Sequence, residues 1–457
     1  MKGRNLLPQS AAVLLGLAVL AGPAAGQTDA RKALAYEAID RNADQIATIG
    51  DTVYYFGELG MQEIESSKFV KGVLESIGFT VETGTAGMNT NVWAHWGTGK
   101  PQIVIVTEID ALPGGSQAPM SIDHKPLVTD APGHMEGHNT HAGVAIGAAY
   151  AVKQAMQRYN IPGSVAISFG PAEEQIVSRP FLVRAGLYRD ADAAILLHIG
   201  DTLGASYGLM NYAAISSKFT FHGKSAHGAV DPWNGKDAVD AVELMDIGFD
   251  KLVKIAEGAA LMTGTTWEYQ IDAAAWPQLG LKPVAEAIQA NIDAVGMPRW
   301  SEDEQAFARR FQTAMGAKPI GLNGKPTALG QRPQSASSND NGDVTWVVPS
   351  AMMRFPASVP GIGYHNWQAA VTPTSTIAHK GMIAGSKVLA GTILDLLTRP
   401  ELLRAARAEF EKATDEMKYF AVLPADAKPP LELNKEIMER YRPAMRRFYL
   451  DKPVKFE

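Results

Sequence analysis

The chain has 457 residues, 46% of them apolar and 20% charged, with a formal charge of −6 and no cysteine. That is enough apolar material for one large domain or two ordinary ones, and it excludes a disordered chain. An acidic balance without a basic block argues against nucleic acid as a partner, and the lack of cysteine excludes disulfides.

Residues 1–26 read as a secretory signal, with Lys2 and Arg4, an apolar run over 11–21, and small residues before Gln27. The run is shorter than the roughly 20 residues that span a bilayer. The expected location is therefore periplasmic or secreted, with no stable membrane insertion once the signal is cleaved; a retained anchor is the alternative. Apolar spacing then predicts helix over residues 29–55 and again over 66–77. The period changes to that of strands at 79–82 and 91–96. Residues 103–107 form a continuous apolar run, as in a strand buried on both faces. It ends in Glu108-Ile109-Asp110.

Residues 132–141 follow, with His134, Glu136, His138 and His141 between a Pro-Gly turn and a helix predicted to run to Tyr159. Neutral imidazole and carboxylate on short backbone suit a borderline cation such as zinc. The plainer alternative is a polar loop entering a helix. A second buried strand, 164–169, ends in Gly170-Pro171-Ala172-Glu173-Glu174. After a helix over 178–185, a third strand, 193–197, leads directly to His198. Each of these strands delivers acid or imidazole at its carboxyl end, where open α/β sheets place their chemistry. The alternation predicts an α/β fold with a mostly parallel sheet flanked by helices.

Past Asn211 the pattern shifts. Residues 215–222 alternate polar and apolar, 223–227 make a turn, 237–260 read as helix and 265–274 as a second strand. This predicts a small inserted α+β lid. Helix returns over 282–311, a Gly-, Ser-, Asn- and Pro-rich loop covers 322–341, and strands are expected at 344–348 and 351–355. His379 opens a long helix to Leu397. The expected organisation is a signal over 1–26, a catalytic domain in two parts over 27–211 and 279–430, a lid over 212–278 and a helical tail over 431–457. Glu136, His138, Glu174, His198 and His379 offer N and O ligands enough for two metal ions. Glu173 suits a general base, and Asp110 suits a group that orients a ligating histidine.

These motifs resemble the M20-type metallo-aminoacylase and carboxypeptidase family, in its amidohydrolase subfamily and nearest the aminobenzoyl-glutamate hydrolase B branch. The matches are Glu108-Ile109-Asp110-Ala111-Leu112-Pro113, Gly137-His138-Asn139, Pro171-Ala172-Glu173-Glu174, Leu197-His198, Gly223-Lys224-Ser225-Ala226-His227, Ser337 to Val344 and Ala378-His379-Lys380-Gly381-Met382. The resemblance implies a zinc-exopeptidase-like fold and two divalent metals, zinc first, with manganese or cobalt as alternatives. It implies His138, Glu174, His198 and His379 as ligands, and Glu173 as base and then acid. His227 would be an oxyanion donor, in the family often across a homodimer, and Asn339 and Asp340 would contact substrate. The implied activity is cleavage of an amide in N-acyl or aminobenzoyl amino acids. A dipeptidase or carboxypeptidase of the same family, or a binding protein that has lost catalysis, are the alternatives. Two departures stand out. Glu136 occupies the place where many relatives carry Cys, with His134 as the other ligand candidate. The lid is shortened, without the two middle strands and the Asn that relatives use near the substrate carboxylate, so the dimer edge and carboxylate recognition are left open.

Overall fold

The computed structural model describes residues 29–246, 252–331 and 337–457. The signal expected over 1–26 lies outside these residues. At the centre are β3 (Gln102–Thr107), β4 (Gly163–Phe169), β5 (Ala193–Gly200) and β11 (Ser350–Pro356). They pair in parallel in the order β4-β3-β5-β11. Their apolar runs are continuous because both faces are covered. On one face, Ile103, Ile105, Ile195, Leu197, Met353 and Phe355 pack into the larger core; on the other, Val104, Val106, Leu196 and Met352 pack into a second core. The larger core is roofed by α1 (Ala30–Arg41), α2 (Ala43–Phe56), α4 (Asn139–Tyr159), α8 (Lys282–Val295) and α11 (Thr376–Thr398). Helix α11 is long and apolar enough to cross a membrane, but 83% of its most apolar window is buried inside the protein.

The flanks of the sheet run the other way, so it is mixed. β1 (Thr80–Thr83) pairs antiparallel with β2 (Val92–Thr98), and β2 antiparallel with β4. On the far side, β6 (Gly204–Leu209) is antiparallel to β11, and two-residue strands β9 (Leu279–Gly280) and β10 (Gly330–Gln331) pair with β6. A separate two-stranded antiparallel sheet holds β7 (Ala214–His222) and β8 (Thr266–Ala275), joined through α6 (Ala238–Asp246) and α7 (Leu252–Thr263). The part of the helix expected over 247–251 lies outside the described residues.

Two expectations are corrected here. The helix expected over 282–311 breaks at Gly296-Met297-Pro298, and α9 (Glu302–Ala314) restarts behind a capping box made by Ser301 and Glu304. Residues 344–348 are not a strand. They follow and overlap the short helix α10 (Asn341–Thr345), because Asp343 turns back to accept the Trp276 N–H at 3.1 Å and Thr345 Oγ1 donates to the Gly342 carbonyl at 2.6 Å. Such local side-chain bonds outcompete the strand preference of Val344, Val347 and Val348.

Candidate metal centre

The site lies where the parallel strands end. Asp110 follows β3 after Glu108 and Ile109. Past β4 the chain turns through Ala172, a non-glycine residue with φ of 55°, into the short turn Glu173–Gln175. That left-handed backbone is disfavoured for alanine, and it is held from outside. Glu63 accepts the Ala172 N–H at 2.8 Å, and a Cβ at Gly60 would lie 2.6 Å from the Ala172 Cα, so only glycine permits the approach. His138 is the N-cap residue of α4, and His198 sits within β5. His365, with φ of 60°, lies in the loop after β11, where its N–H donates to the Met135 carbonyl at 3.1 Å.

Glu136 is the hub. One oxygen, Oε1, lies 3.3 Å from His198 Nε2; the other, Oε2, lies 2.5 Å from His365 Nε2. It therefore belongs to two groups whose ligand atoms lie within 4.8 Å of one another, Glu136–His138–His198 and Glu136–Glu174–His365. Glu174 Oε2 is 3.3 Å from His365 Nε2. Asp110 joins the halves, with Oδ1 3.3 Å from His138 Nδ1 and Oδ2 accepting the Glu174 N–H at 3.0 Å. Glu173 Oε2 stands 3.8 Å from His138 Nε2.

Behind this layer lies a second one. His141 Nε2 accepts the Ile199 N–H at 3.0 Å, so its proton is on Nδ1, which faces Glu108 Oε1 at 3.3 Å. That nitrogen makes no hydrogen bond among the described residues, and His141 falls in a third compact group with Glu108 and His138 behind the Glu136 groups. Arg179 closes the layer, bonding Glu108 Oε2 at 2.8 Å and lying 3.4 Å from Asp340 Oδ1. All four side chains are fully buried.

The donor set fits divalent metal. His138 Nε2 is buried and has no hydrogen-bond partner among the described residues, an orphan that costs free energy unless something binds it. The carboxylates are crowded enough to perturb one another. Burial pushes Glu174 up to about 8, with the His138 charge opposing and the Glu136 and Asp110 charges adding. Burial and the Glu108 charge push Glu173 well above the usual carboxylate range. Burial would also raise Glu136, but its hydrogen bonds with His198 and His365 hold it far below that range. Burial opposes charge on His138, yet the Asp110 bond and the Glu174 charge outweigh it and raise its pKa. A pocket with this surplus of carboxylate must hold protons or cations.

The structure brings Asp110, Glu136, His138, Glu173, Glu174 and His198 together. It does not bring His379. On α11, His379 Nε2 bonds Asp51 Oδ1 at 2.8 Å, and the residue is in none of the compact ligand groups among the described residues. His365 holds the corner expected for it. A signal for His365 exists in the sequence: it follows a buried parallel strand, as Glu173 does, but behind the eight-residue connection 357–364. His134 is no substitute for Glu136, since it is buried against the Val53 carbonyl at 3.1 Å. His227 is in an exposed turn, its backbone N–H bonded to Asp231 and its Nδ1 accepting the Ala229 N–H. Asp340 is not positioned for substrate either. Its Oδ2 accepts from Ser178 Oγ and from the Arg179 N–H, at 3.1 and 3.0 Å, deep in the supporting layer. Asn339 is buried and bonds Gln278 Oε1 at 3.3 Å.

Residues 104–422 match the model of peptidase family M20/M25/M40. One of the subunits of the p-aminobenzoyl-glutamate hydrolase of Escherichia coli (strain K12) is 29% identical over 469 aligned positions, covering 86% of this chain and 97% of that protein. The fold is similar to that of an aminobenzoyl-glutamate utilization protein from Klebsiella pneumoniae, with a TM-score of 0.57 at 16% identity over 79% of this chain and 98% of that one. It is also similar to a dinuclear metal-binding peptidase from Bacillus subtilis, with a TM-score of 0.50 at 17% identity over 78% and 99%.

Proposed function

The chain belongs to peptidase family M20/M25/M40, and on that premise we propose that it hydrolyses the amide bond of N-acyl or aminobenzoyl amino acids with two divalent cations, zinc first among them. The observation that carries this reading is Glu136, whose two oxygens face histidines of two separate ligand groups. Glu136, His138 and His198 would hold one ion, and Glu136, Glu174 and His365 the other. When bound, such a pair polarises a carbonyl and acidifies water. The likeness to a protein of p-aminobenzoyl-glutamate hydrolysis supports the substrate class, and the leader-like residues 1–26 support export.

The side chains divide the remaining work. Asp110 fixes the His138 ring through Nδ1 and leaves Nε2 as the ligating nitrogen. Its second oxygen pins the backbone of Glu174. Glu173, raised in pKa and 3.8 Å from the His138 ring, takes the proton of the attacking water as the oxygen bonds to the amide carbon. It then delivers that proton to the nitrogen as the C–N bond breaks. His227 presents Nε2 from the lid turn, and serving as an oxyanion donor would take lid closure or a second copy of the chain. Glu173→Gln in the metal-loaded protein is expected to lower turnover of aminobenzoyl-glutamate by about 10²–10⁴-fold, with metal content unchanged. Undiminished turnover would overturn the role given to Glu173.

A further inference from the structure

The turn Glu173–Gln175 is entered and left through left-handed backbone. Ala172 and Ile176 each have φ of 55°, and neither is glycine. For the β-branched Ile176 this conformation is a steric outlier. Such backbone persists only where the surroundings over-determine it. Inside the turn, the Ile176 N–H donates to the Glu173 carbonyl at 2.7 Å and the Val177 N–H to the Ala172 carbonyl at 3.1 Å. Glu63 holds the Ala172 end from outside. The third side chain of the turn, Gln175, is held by the C-terminal tail.

Asn434 makes that contact. Its Nδ2 donates to Gln175 Oε1 at 2.7 Å and to the Gly60 carbonyl at 2.9 Å. A carbonyl only accepts, so Asn434 must face it with nitrogen, and Gln175 must then offer oxygen. Asn434, with φ of 62°, is the N-cap residue of the helix Lys435–Met445, yet its side chain makes no cap bond. An asparagine in this place ordinarily accepts an N–H of the first helical turn. Here the carboxamide points to the metal-site turn instead.

Neighbouring contacts fix where Asn434 stands. Gln62 Nε2 donates to the Leu431 and Leu433 carbonyls at 3.1 and 3.0 Å. Arg442 Nη2 donates to Oε1 of the fully buried Glu58 at 3.0 Å and to the Gln62 carbonyl at 2.7 Å. The same segment reaches the site from its other side, where the Ala111 N–H, next to Asp110, donates to the Glu58 carbonyl at 2.8 Å. A Cβ at Gly60 would lie 3.0 Å from Gln175 Oε1. The tail thus bears on the chain that follows β3 and on the turn that follows β4. Residues 58–63 and 431–442 lie outside the span 104–422 that matches the family model, so that match assigns them no role.

We propose that Asn434 is a positioning residue of the metal centre: by holding Gln175 and Gly60 it sets the turn from which Glu173 and Glu174 project. This rests on the amidohydrolase reading above. Glu173 must lie within hydrogen-bond reach of the water it deprotonates, and a displacement of about 1 Å can cost about 10²-fold in rate. Glu174 falls in one compact ligand group, with Glu136 and His365. Relaxing the turn therefore loosens one ion and spares the other.

The test uses the full zinc-loaded chain and its N434G, Q175A and N434G/Q175A variants. Glycine accepts left-handed backbone, so N434G removes the carboxamide and keeps the path of the chain. Bound zinc is counted across a chelator titration, thermal midpoints are recorded, and turnover of aminobenzoyl-glutamate is measured. N434G is expected to lower kcat at least tenfold with KM within threefold. It should release one zinc at a chelator concentration at least fivefold lower than wild type does, with the second held as in wild type. The double variant should be no worse than N434G, because both changes break one contact. Zinc retention and kcat equal to wild type in N434G and Q175A would overturn the proposal. So would release of both ions in step with a lowered thermal midpoint, or losses that multiply in the double variant. A wild-type chain that binds two zinc ions and cleaves nothing would sink the hydrolase reading, while selective release of one ion from N434G would still sustain the positioning role. If N434G does not fold, selective release from Q175A decides the same question.

Discussion

Glu136 changes the chemistry of its corner by being a carboxylate. A carboxylate is a harder ligand than thiolate, and it has two donor atoms to share between neighbours. Here they are shared, one to His198 and one to His365. Asp343 shows at the same scale how burial converts into pH dependence. Burial pushes its pKa up to about 7, with the Trp276 N–H and the Tyr419 hydroxyl opposing. The unfolded carboxyl titrates at about 3.9. Below that value both states hold the proton. Between there and about 7 only the folded state still holds it, so stability falls as pH rises through this window. Asp343→Asn removes the titration while keeping polar atoms for Trp276 and Tyr419. The thermal midpoint of D343N should therefore gain on that of wild type between pH 5 and pH 8; a difference that stays constant with pH would contradict this.

Helix α11 illustrates how an element can carry a family motif for packing. At Gly381 a Cβ would lie 1.5 Å from the Pro356 carbonyl oxygen, so α11 crosses the end of β11 at contact distance only because that residue has no side chain. Met382 fills the space over Gly50 and Gly143 of α2 and α4. The same motif turns His379 toward Asp51, away from the metal groups. Gly381→Ala should lower stability by at least the roughly 1–3 kcal/mol of an overpacked core, measured by denaturant unfolding, and a stability equal to wild type would mean that the crossing is not tight. Legibility in the sequence follows from the same physics. Long helices and the strands buried on both faces are readable because periodicity and continuous apolar runs report burial directly. β6, with Gly204 and Gly208 in six residues, and the two-residue β9 and β10 carry no such signal. The strand-end rule locates Asp110, Glu173, Glu174 and His198, each within a few residues of its strand or inside it. His365 escapes that rule because eight residues separate it from Pro356, while His379 stands in a recognisable motif and draws the assignment instead.

At the scale of the whole molecule, the parallel centre of the sheet gathers residues that are distant in sequence into one acidic, histidine-lined pocket. Glu63 and Gly60 come from the segment before α3 (Ile64–Ser76), Glu136 and His138 from the entry to α4, and His365 from the approach to α11. The supporting layer of Glu108, His141, Arg179 and Asp340 ties these segments together beneath the site, so its geometry is set by the fold as a unit. The two-stranded sheet of β7 and β8 stands apart from the main sheet and carries His227 on an exposed turn. The central claim is that two cations share Glu136 and that His365, not His379, completes their ligand set. It is tested most directly by metal analysis of wild type, His365→Ala and His379→Ala after zinc loading and desalting. Two ions per chain are predicted for wild type and for H379A, and fewer than two for H365A. Loss of an ion in H379A with both retained in H365A would contradict the account.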